Sequence, residues 1–356
     1  MKKMRGAILA ATGAAGQQFV EALQDHPYFD ITGLYASEKS AGKKYKITYN
    51  WRGNVPLKDE IGEMVVRNTD KIMEDISEFD IIFSALPSEV AKEVEGKCAS
   101  KLPVISTASA YRFEEDVPIL VPEVNIEQIE LIETQKKNRN WNGFVLPGPN
   151  CTTTGLVVAL KPIHDEFGIK HLVMTSLQAL SGAGYPGVPS LDICDNIVPF
   201  ISKEEEKVIK EVRKILGKYE NGKVKDAQIK VNATCTRVNV RDGHSESVYV
   251  ELEKNASPED IKKAYSAFNE KCAGIFGKLP AYPKNNKTII VKEEQDRPQP
   301  ILDRCEGDGM STIVGRIRQG ANPDEILLFL LSHNTKKGAA KGGILVAEYL
   351  KDKKLI

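Results

Sequence analysis

The chain has 356 residues, with 49 Lys and Arg balanced by 49 Asp and Glu. A length of this size, at about 100–200 residues per domain, predicts two domains with full hydrophobic cores. The neutral charge disfavours nucleic acid and anionic membranes as partners, and the apolar runs are shorter than the ~18 residues of a membrane span. The apolar segment 6–15 contains a glycine turn and lacks a convincing cleavage site, so we interpret it as a strand and expect a cytoplasmic protein.

Short β-branched runs alternate with helical stretches in the first half of the chain. This alternation predicts parallel βαβ units, and hence an α/β domain of Rossmann type that binds a dinucleotide and spans residues 1–150. The predicted strands are 4–10, 31–35, 80–83, 104–105, 119–121 and 144–146. The predicted helices are 16–24, 88–98 and 126–137.

After Cys151 the chain changes to longer strands with fewer helices, which predicts an α+β catalytic domain with a mixed sheet over residues 151–333. The predicted helices are 153–167, 204–216 and 258–272, and the predicted strands are 171–180, 228–240, 244–252, 288–291, 311–318 and 326–331. Since only Arg241-Asp242-Gly243 separates two of these strands, they are expected to form a hairpin. A final helix, 338–350, is expected to pack on the first domain, so that residues 334–356 complete it.

The segment from Ile8 to Gly16 joins the first predicted strand to the first predicted helix and carries a variant G-x-x-G-x-x-G spacing. Its small residues would let backbone N–H groups and the helix N-terminus approach a pyrophosphate. Ala10 occupies the first glycine position, which requires ordinary backbone angles there or a wider turn. A strand–turn–helix with small packing residues is the alternative, but the position at the start of a βαβ run favours a nucleotide.

A polar loop follows the second predicted strand, where a dinucleotide fold usually selects the ribose. Its hydroxyl groups and lysines, Ser37, Lys39 and Ser40, suit a 2′-phosphate and favour NADP(H) over NAD(H). Glu38 keeps a plain solvated loop as the alternative.

Six cysteines are scattered without a C-x-x-C pair, which excludes a disulfide scaffold, and no Cys or His pair has the spacing of metal ligands. Cys151 differs from the others because it follows Pro-Gly-Pro-Asn at the start of a predicted helix. The helix dipole and free N–H groups are expected to lower the pKa of its thiol. Buried structural positions are expected for Cys98, Cys194, Cys235, Cys272 and Cys305.

A thiolate beside NADP(H) favours one chemistry, in which sulfur adds to an aldehyde, hydride leaves, and a thioester remains for phosphate to cleave. Run backwards, the same steps reduce an acyl phosphate. The step needs a base, and among the five histidines His244 stands out because the predicted hairpin could bring it beside Arg237. Glu204 and Lys207 would share a helix face, where they could hold an ammonium and a phosphate; a solvated helix start is the alternative.

Taken together, the N-terminal turn, Pro149-Asn150-Cys151-Thr152, the Arg237 to His244 segment and His333-Asn334-Thr335 are similar to one family. The sequence resembles the aspartate-β-semialdehyde dehydrogenases almost end to end, in their archaeal and fungal branch. The resemblance implies NADP-dependent reductive dephosphorylation of L-aspartyl-4-phosphate in lysine, threonine and methionine synthesis. It also implies a homodimer or homotetramer built through the sheet of the second domain.

The resemblance also implies roles for individual residues. Cys151 would be the acyl-thioester nucleophile and His244 the acid/base. The substrate-binding residues would be Asn150 and Gln178 for the acyl group, Arg237 for the α-carboxylate, Glu204 for the ammonium, and Arg112 and Lys207 for the phosphate. The cofactor would be lined by Thr12, Gly13, Ala14, Ala15, Ser37, Lys39, Ser40, Ser84, Ser181, Gly182 and Asn334. No metal is implied.

Three alternatives differ in substrate or in class. A malonyl-CoA reductase would share the thioester chemistry but needs no phosphate clamp, and its group replaces the Pro-Asn before the cysteine, so Asn150 disfavours it. An N-acetyl-glutamyl-phosphate reductase, whose substrate amine is blocked, would not need Glu204. A catalytically silent NADP-binding protein would tolerate loss of the Cys, His and Arg set, which is present in full.

Overall fold

The computed structural model describes residues 2–356, so that Met1, where the predicted first domain begins, lies outside the described residues. The first domain is built on a six-stranded parallel sheet with strand order β3-β2-β1-β4-β5-β6. Its strands are β1 (Met4–Leu9), β2 (Phe29–Ala36), β3 (Arg67–Asn68), β4 (Ile81–Ser84), β5 (Pro103–Ser106) and β6 (Phe144–Pro147). β4 and β6 are buried along their whole length, as expected for strands covered on both faces.

The helices of this domain are α1 (Ala14–Leu23), α2 (Asp59–Gly62), α3 (Ser88–Ala99), α4 (Pro122–Asn125) and α5 (Leu131–Arg139). The strand predicted at 119–121 is wrong, because these residues pair with no strand and lead directly into α4. The side chain of Asn125 replaces a strand partner: it accepts a hydrogen bond from Val121 N–H and donates one to the Ile119 carbonyl, each at 2.9 Å.

The second domain contains a six-stranded sheet with strand order β10-β7-β11-β14-β13-β12. β7 and β10 are parallel, as are β12 and β13, whereas the remaining pairs are antiparallel, which confirms the predicted mixed sheet. The strands of this domain, including the separate pair β8 and β9, are β7 (Ile169–Gln178), β8 (Lys218–Glu220), β9 (Lys223–Lys225), β10 (Lys230–Arg237), β11 (His244–Leu252), β12 (Ile289–Lys292), β13 (Thr312–Gln319) and β14 (Glu325–Ser332).

The predicted hairpin between residues 228–240 and 244–252 is wrong. β7 lies between β10 and β11, so residues 238–243 form a crossover instead of a tight turn. Parallel pairing places Arg237 opposite Gln178, and β11 adds on the other side of β7. Arg237 and His244 therefore come together across a third strand that the hairpin did not include.

The remaining helices are α6 (Cys151–Phe167), α7 (Ser190–Ile193), α8 (Glu204–Ile215), α9 (Pro258–Phe276), α10 (Pro300–Asp303) and α11 (Lys341–Asp352). α6 starts four residues after β6 ends and is buried at most of its positions. Gly155 lets it approach the second sheet, since a Cβ there would lie 2.5 Å from the Ser332 Cβ. Within residues 2–356, no helix is long and apolar enough to cross a membrane.

α11 packs back on α1 and β5 of the first domain. A buried pair, His26 Nε2 and Glu348 Oε1 at 2.7 Å, joins the end of α1 to this helix. The chain that enters α11 thus passes from the second domain across the cleft between the domains, which places residues 333–339 in that cleft.

Candidate active site

A cavity of about 560 Å³ lies between the two domains. The first domain contributes residues from the start of α1 and from the loops after β4 and β5, and the second contributes the loop after β7, the start of α8 and the end of β10. Its walls include the predicted site residues Ala14, Ala15, Arg112, Asn150, Cys151, Ser181, Gly182, Glu204, Lys207, Arg237 and Asn334.

The sulfur of Cys151 lies 3.2 Å from His244 Nε2. On the other side of the fully buried ring, Nδ1 accepts a hydrogen bond from Ala179 N–H at 3.0 Å. A backbone N–H can only donate, so the neutral ring carries its proton on Nε2 and presents it to the sulfur. The two residues are therefore placed as a nucleophile and a partner that can donate to it.

Burial favours the neutral form of both groups in the ligand-free site. Burial and the nearby Glu204 carboxylate raise the pKa of Cys151 to about 12, although Arg112, Arg237 and the Thr152 N–H act in the opposite direction. Burial, Arg237 and His333 lower the pKa of His244 to about 3. The expected fall in the pKa of the thiol is thus wrong here, because desolvation outweighs the helix N-terminus.

Asn150 caps α6 and connects it to α8. Its side-chain oxygen accepts from Thr152 N–H at 2.8 Å, which satisfies a free donor of the first turn. Its amide nitrogen donates to Glu204 Oε1 at 2.8 Å, and Gln178 Nε2 donates to the same oxygen at 3.1 Å. Three predicted substrate residues thus form one hydrogen-bonded set next to the sulfur.

Among the cationic residues that line the cleft, three are predicted substrate residues on different elements. Arg112 is buried and fixed by the carboxylate of Glu211 and by the carbonyls of Thr107 and Gly148. Arg237 Nη1 donates to the Ala179 carbonyl at 2.7 Å, and Lys207 Nζ lies 3.9 Å from Glu204 Oε2. Cations on several sides of one cavity are suited to a ligand with more than one anionic group.

The turn between β1 and α1 fits the pyrophosphate of a dinucleotide. A Cβ on Gly16 would lie 2.1 Å from the Ala10 carbonyl oxygen, so only glycine lets helix and turn approach this closely. Gly13 begins α1 without a side-chain cap, and the first turn has no acidic residue. Its N–H groups therefore remain available to an anion.

Ala10 adopts a φ of 55°, so the expectation of ordinary angles at this position is wrong. The first turn position requires the left-handed region, and the alanine occupies it at a steric cost that glycine would avoid.

The predicted cofactor residues lie in four different places. Ala14, Ala15, Ser181, Gly182 and Asn334 line the cleft, and the Asn334 amide donates to Ser181 Oγ at 2.8 Å. Thr12 and Gly13 belong to the phosphate turn, and Ser37, Lys39 and Ser40 follow β2 at the surface. The side chain of Ser84 does not reach the cleft, because it is fully buried and donates a hydrogen bond to the Glu95 carboxylate of α3 at 2.7 Å.

Glu211 and Gly338 are among the residues at the site that escaped prediction. Glu211 is buried behind Arg112, and its position four residues after Lys207 on one helix is the signal that could have identified it. Gly338 packs directly on Cys151, since a Cβ there would lie 2.9 Å from the Cys151 Cβ.

The other cysteines only partly follow the expectation. Cys98, Cys235 and Cys272 are buried, but Cys194 and Cys305 are exposed, because each lies in a short surface segment outside the sheets. No cluster of three or more His, Cys, Asp or Glu side chains arranged to hold a metal ion occurs in the described part of the chain.

Comparison with known proteins defines the class first. The family model of the semialdehyde dehydrogenase NAD binding domain matches residues 5–132, and that of the semialdehyde dehydrogenase dimerisation domain matches residues 160–337. The combination of a parallel nucleotide-binding sheet, a mixed second sheet and a cysteine between them is therefore that of a semialdehyde dehydrogenase.

Similarity to individual proteins narrows the family assignment within this class. An aspartate-semialdehyde dehydrogenase of Archaeoglobus fulgidus is 48% identical over 352 residues, 98% of each chain. A malonyl CoA reductase (NADP) of Metallosphaera sedula is 39% identical over 360 residues, 99% of this chain and 98% of that protein. The crystal structure of aspartate semialdehyde dehydrogenase with NADP from Candida albicans matches with a TM-score of 0.88 at 39% identity, covering 99% of this chain and 100% of that chain. The chain belongs to the aspartate-semialdehyde dehydrogenase family.

Proposed function

We propose that the protein reduces L-aspartyl-4-phosphate to L-aspartate-4-semialdehyde with NADPH, through an acyl thioester on Cys151. The observation that carries this proposal is the Cys151–His244 pair, 3.2 Å apart, in the cleft between a nucleotide-binding domain and a second domain. NADP(H), rather than NAD(H), agrees with the Ser37, Lys39 and Ser40 loop after β2 and with the NADP in the Candida albicans relative.

In the first step the sulfur attacks the acyl carbon and the bond from that carbon to the phosphate oxygen breaks. The proton of the thiol ends on the released phosphate, which Arg112 and Lys207 hold. The Nε2–H of His244 donates a hydrogen bond that stabilises the thiolate before it attacks, and the negative charge then passes to the departing phosphate. An anionic ligand in the cleft also favours the charged form of this ring.

NADPH, when bound, supplies the hydride that reduces the thioester carbonyl carbon. The carbon–sulfur bond then breaks and the semialdehyde is released, while the departing sulfur takes the Nε2 proton of His244, which a proton from solvent replaces. Ala14 and Ala15 at the start of α1, with Ser181, Gly182 and Asn334 across the cleft, are the residues that would orient the cofactor.

The amino acid end of the substrate fits the remaining charged residues. The planar guanidinium of Arg237 can hold the α-carboxylate through two parallel hydrogen bonds, and the carboxylate of Glu204 can hold the ammonium. Asn150 and Gln178, which both donate to Glu204, would place the acyl group beside the sulfur.

Reduction of malonyl-CoA is the second candidate, since a 39% identical relative carries that name. The test is NADPH oxidation with aspartyl phosphate and with malonyl-CoA, side by side. We expect turnover with aspartyl phosphate, because Arg112 and Lys207 face the cleft and a thioester substrate gives them no phosphoryl group at the acyl carbon. Turnover with malonyl-CoA alone would contradict the proposal.

The protein is also proposed to assemble into a homodimer or homotetramer through its second sheet. Val173, Tyr249 and Leu327 pair across β7, β11 and β14, on the face opposite Leu330, which packs near α6. Val173 is exposed, and the other two are half-buried. A second copy could cover these apolar side chains, and sedimentation would distinguish two copies from four.

The proposed location is the cytoplasm. A catalytic thiol must stay reduced, and a reducing compartment also suits the exposed thiols of Cys194 and Cys305.

A further inference from the structure

The inner face of α8 carries four charged side chains, and two of them have no direct part in the proposed reaction. Glu204, Lys207, Glu211 and Lys214 follow one another at intervals of three or four residues, so they share this face. The first two are the proposed substrate ligands. Glu211 is fully buried, and Lys214 is buried while donating to the carbonyls of Arg112, Glu114 and Val117 at 2.7–2.8 Å.

Glu211 uses its two oxygens on two different parts of the site. Oε1 accepts from Arg112 Nη1 at 2.9 Å, and Oε2 accepts from the backbone N–H of Asn150 at 2.7 Å. Arg112 belongs to the first domain, whereas Asn150 immediately precedes the nucleophile. One carboxylate on α8 therefore connects the arginine to the start of the catalytic helix.

We propose that Glu211 is a positioning residue, which aims Arg112 at the substrate phosphate and fixes the backbone from which Cys151 starts. The proposal rests on the proposed function, in which Arg112 holds that phosphate.

The hydrogen-bond donors of Arg112 indicate how Glu211 could orient its guanidinium. A guanidinium has five N–H groups. Three of them are used: Nε–H bonds Gly148, one N–H of Nη2 bonds Thr107, and one N–H of Nη1 bonds Glu211. The two others remain for a ligand in the cleft, which Arg112 lines. Without the Glu211 carboxylate, the planar group would keep two neutral acceptors and could tilt away from the ligand.

The test is the Glu211→Gln variant, assayed in the direction that consumes phosphate, semialdehyde and NADP⁺. Glutamine keeps the shape, but its NH₂ group must face either Arg112 or the Asn150 N–H, which are both donors. We expect the KM for phosphate to rise about tenfold, the scale of one lost charge-assisted hydrogen bond. kcat should fall as well, while the KM for NADP⁺ stays unchanged.

Glu206→Gln is the matched control, since Glu206 is exposed on the same helix and its variant should behave as wild type. Glu211→Asp keeps the charge but shortens the reach, so its phosphate KM should lie between those of wild type and Glu211→Gln. This variant decides the question if Glu211→Gln fails to fold.

The possible results distinguish the role of Glu211 from the proposed function on which it rests. A phosphate KM that is unchanged in the folded variants, or that changes in step with the KM for NADP⁺, would overturn the role of Glu211 and leave the proposed function standing. Wild-type protein without any phosphate-dependent activity would refute the proposed function and the role together.

Discussion

Cys151 lies close to His244, but burial disfavours its thiolate form before a ligand binds. Desolvation dominates the pKa of both members of the pair, upward for the thiol and downward for the imidazole. The Ala179 N–H strengthens this state, because an imidazolium Nδ1–H would point at another donor. These pKa directions favour a neutral thiol beside a neutral ring in the free enzyme, and we expect ionisation to accompany substrate binding.

Alkylation by iodoacetamide measures the ionised fraction directly, since only the thiolate reacts. We expect the rate at Cys151 in the free enzyme to climb steadily from about pH 6 to pH 9, because a thiol with a raised pKa gains about tenfold in thiolate per pH unit. Mass spectrometry of the peptide that contains Cys151 separates it from the exposed Cys194 and Cys305. A rate that is already constant below about pH 7 would show a resting thiolate–imidazolium pair and contradict this account.

At the scale of elements, local patterns predicted most of the helices and strands. The first domain was recognisable because its buried strands are short continuous apolar runs separated by helices. The hairpin failed because the partner of β10 is β7, which lies about sixty residues earlier in the chain, and a short connection gives no information about such a strand. The 119–121 segment failed because the Asn125 side chain satisfies its backbone.

The same scale explains why Glu211 was missed while Cys151 and His244 were found. Reactive residue types beside glycine and proline are conspicuous in a sequence, whereas the charge pattern of Glu-Glu-Glu-Lys-Val-Ile-Lys-Glu is typical of a solvated helix. Glu211 is paired in the buried interior with Arg112 of the other domain, a contact across 99 positions of the chain that no local pattern reveals.

The close approach of helix and backbone in the phosphate turn can be tested at Gly16. In the Gly16→Ala variant, the new Cβ would meet the Ala10 oxygen at 2.1 Å and the Ala11 Cα at 2.7 Å, both in the backbone. We expect a loss of about 3 kcal/mol in stability, seen as a lower Tm, together with weaker NADP⁺ binding. Gly274→Ala is the control: it lies inside α9 with nothing within 4 Å of the new Cβ, so it should raise stability by up to about 1 kcal/mol. Equal Tm values for the two variants would contradict the close approach.

At the scale of the whole molecule, α6 runs between the two domains and carries Cys151 at its start. It begins at the end of the first sheet, packs on the second sheet through Gly155, and places Cys151 where the two domains face each other. The C-terminal chain returns across this cleft and brings Gly338 against the Cβ and backbone of Cys151. Nucleotide, acyl group and phosphate can therefore meet at one atom only when both domains are folded.

That arrangement is tested most directly by a single turnover without phosphate. Wild-type protein mixed with L-aspartate-4-semialdehyde and NADP⁺ should form about one equivalent of NADPH per site and stop, because the thioester has no acceptor. The peptide that contains Cys151 should then carry one aspartyl group, which added phosphate removes, and Cys151→Ser should bind NADP⁺ but form no NADPH. Continued turnover without phosphate, or an aspartyl group on any other residue, would contradict the account.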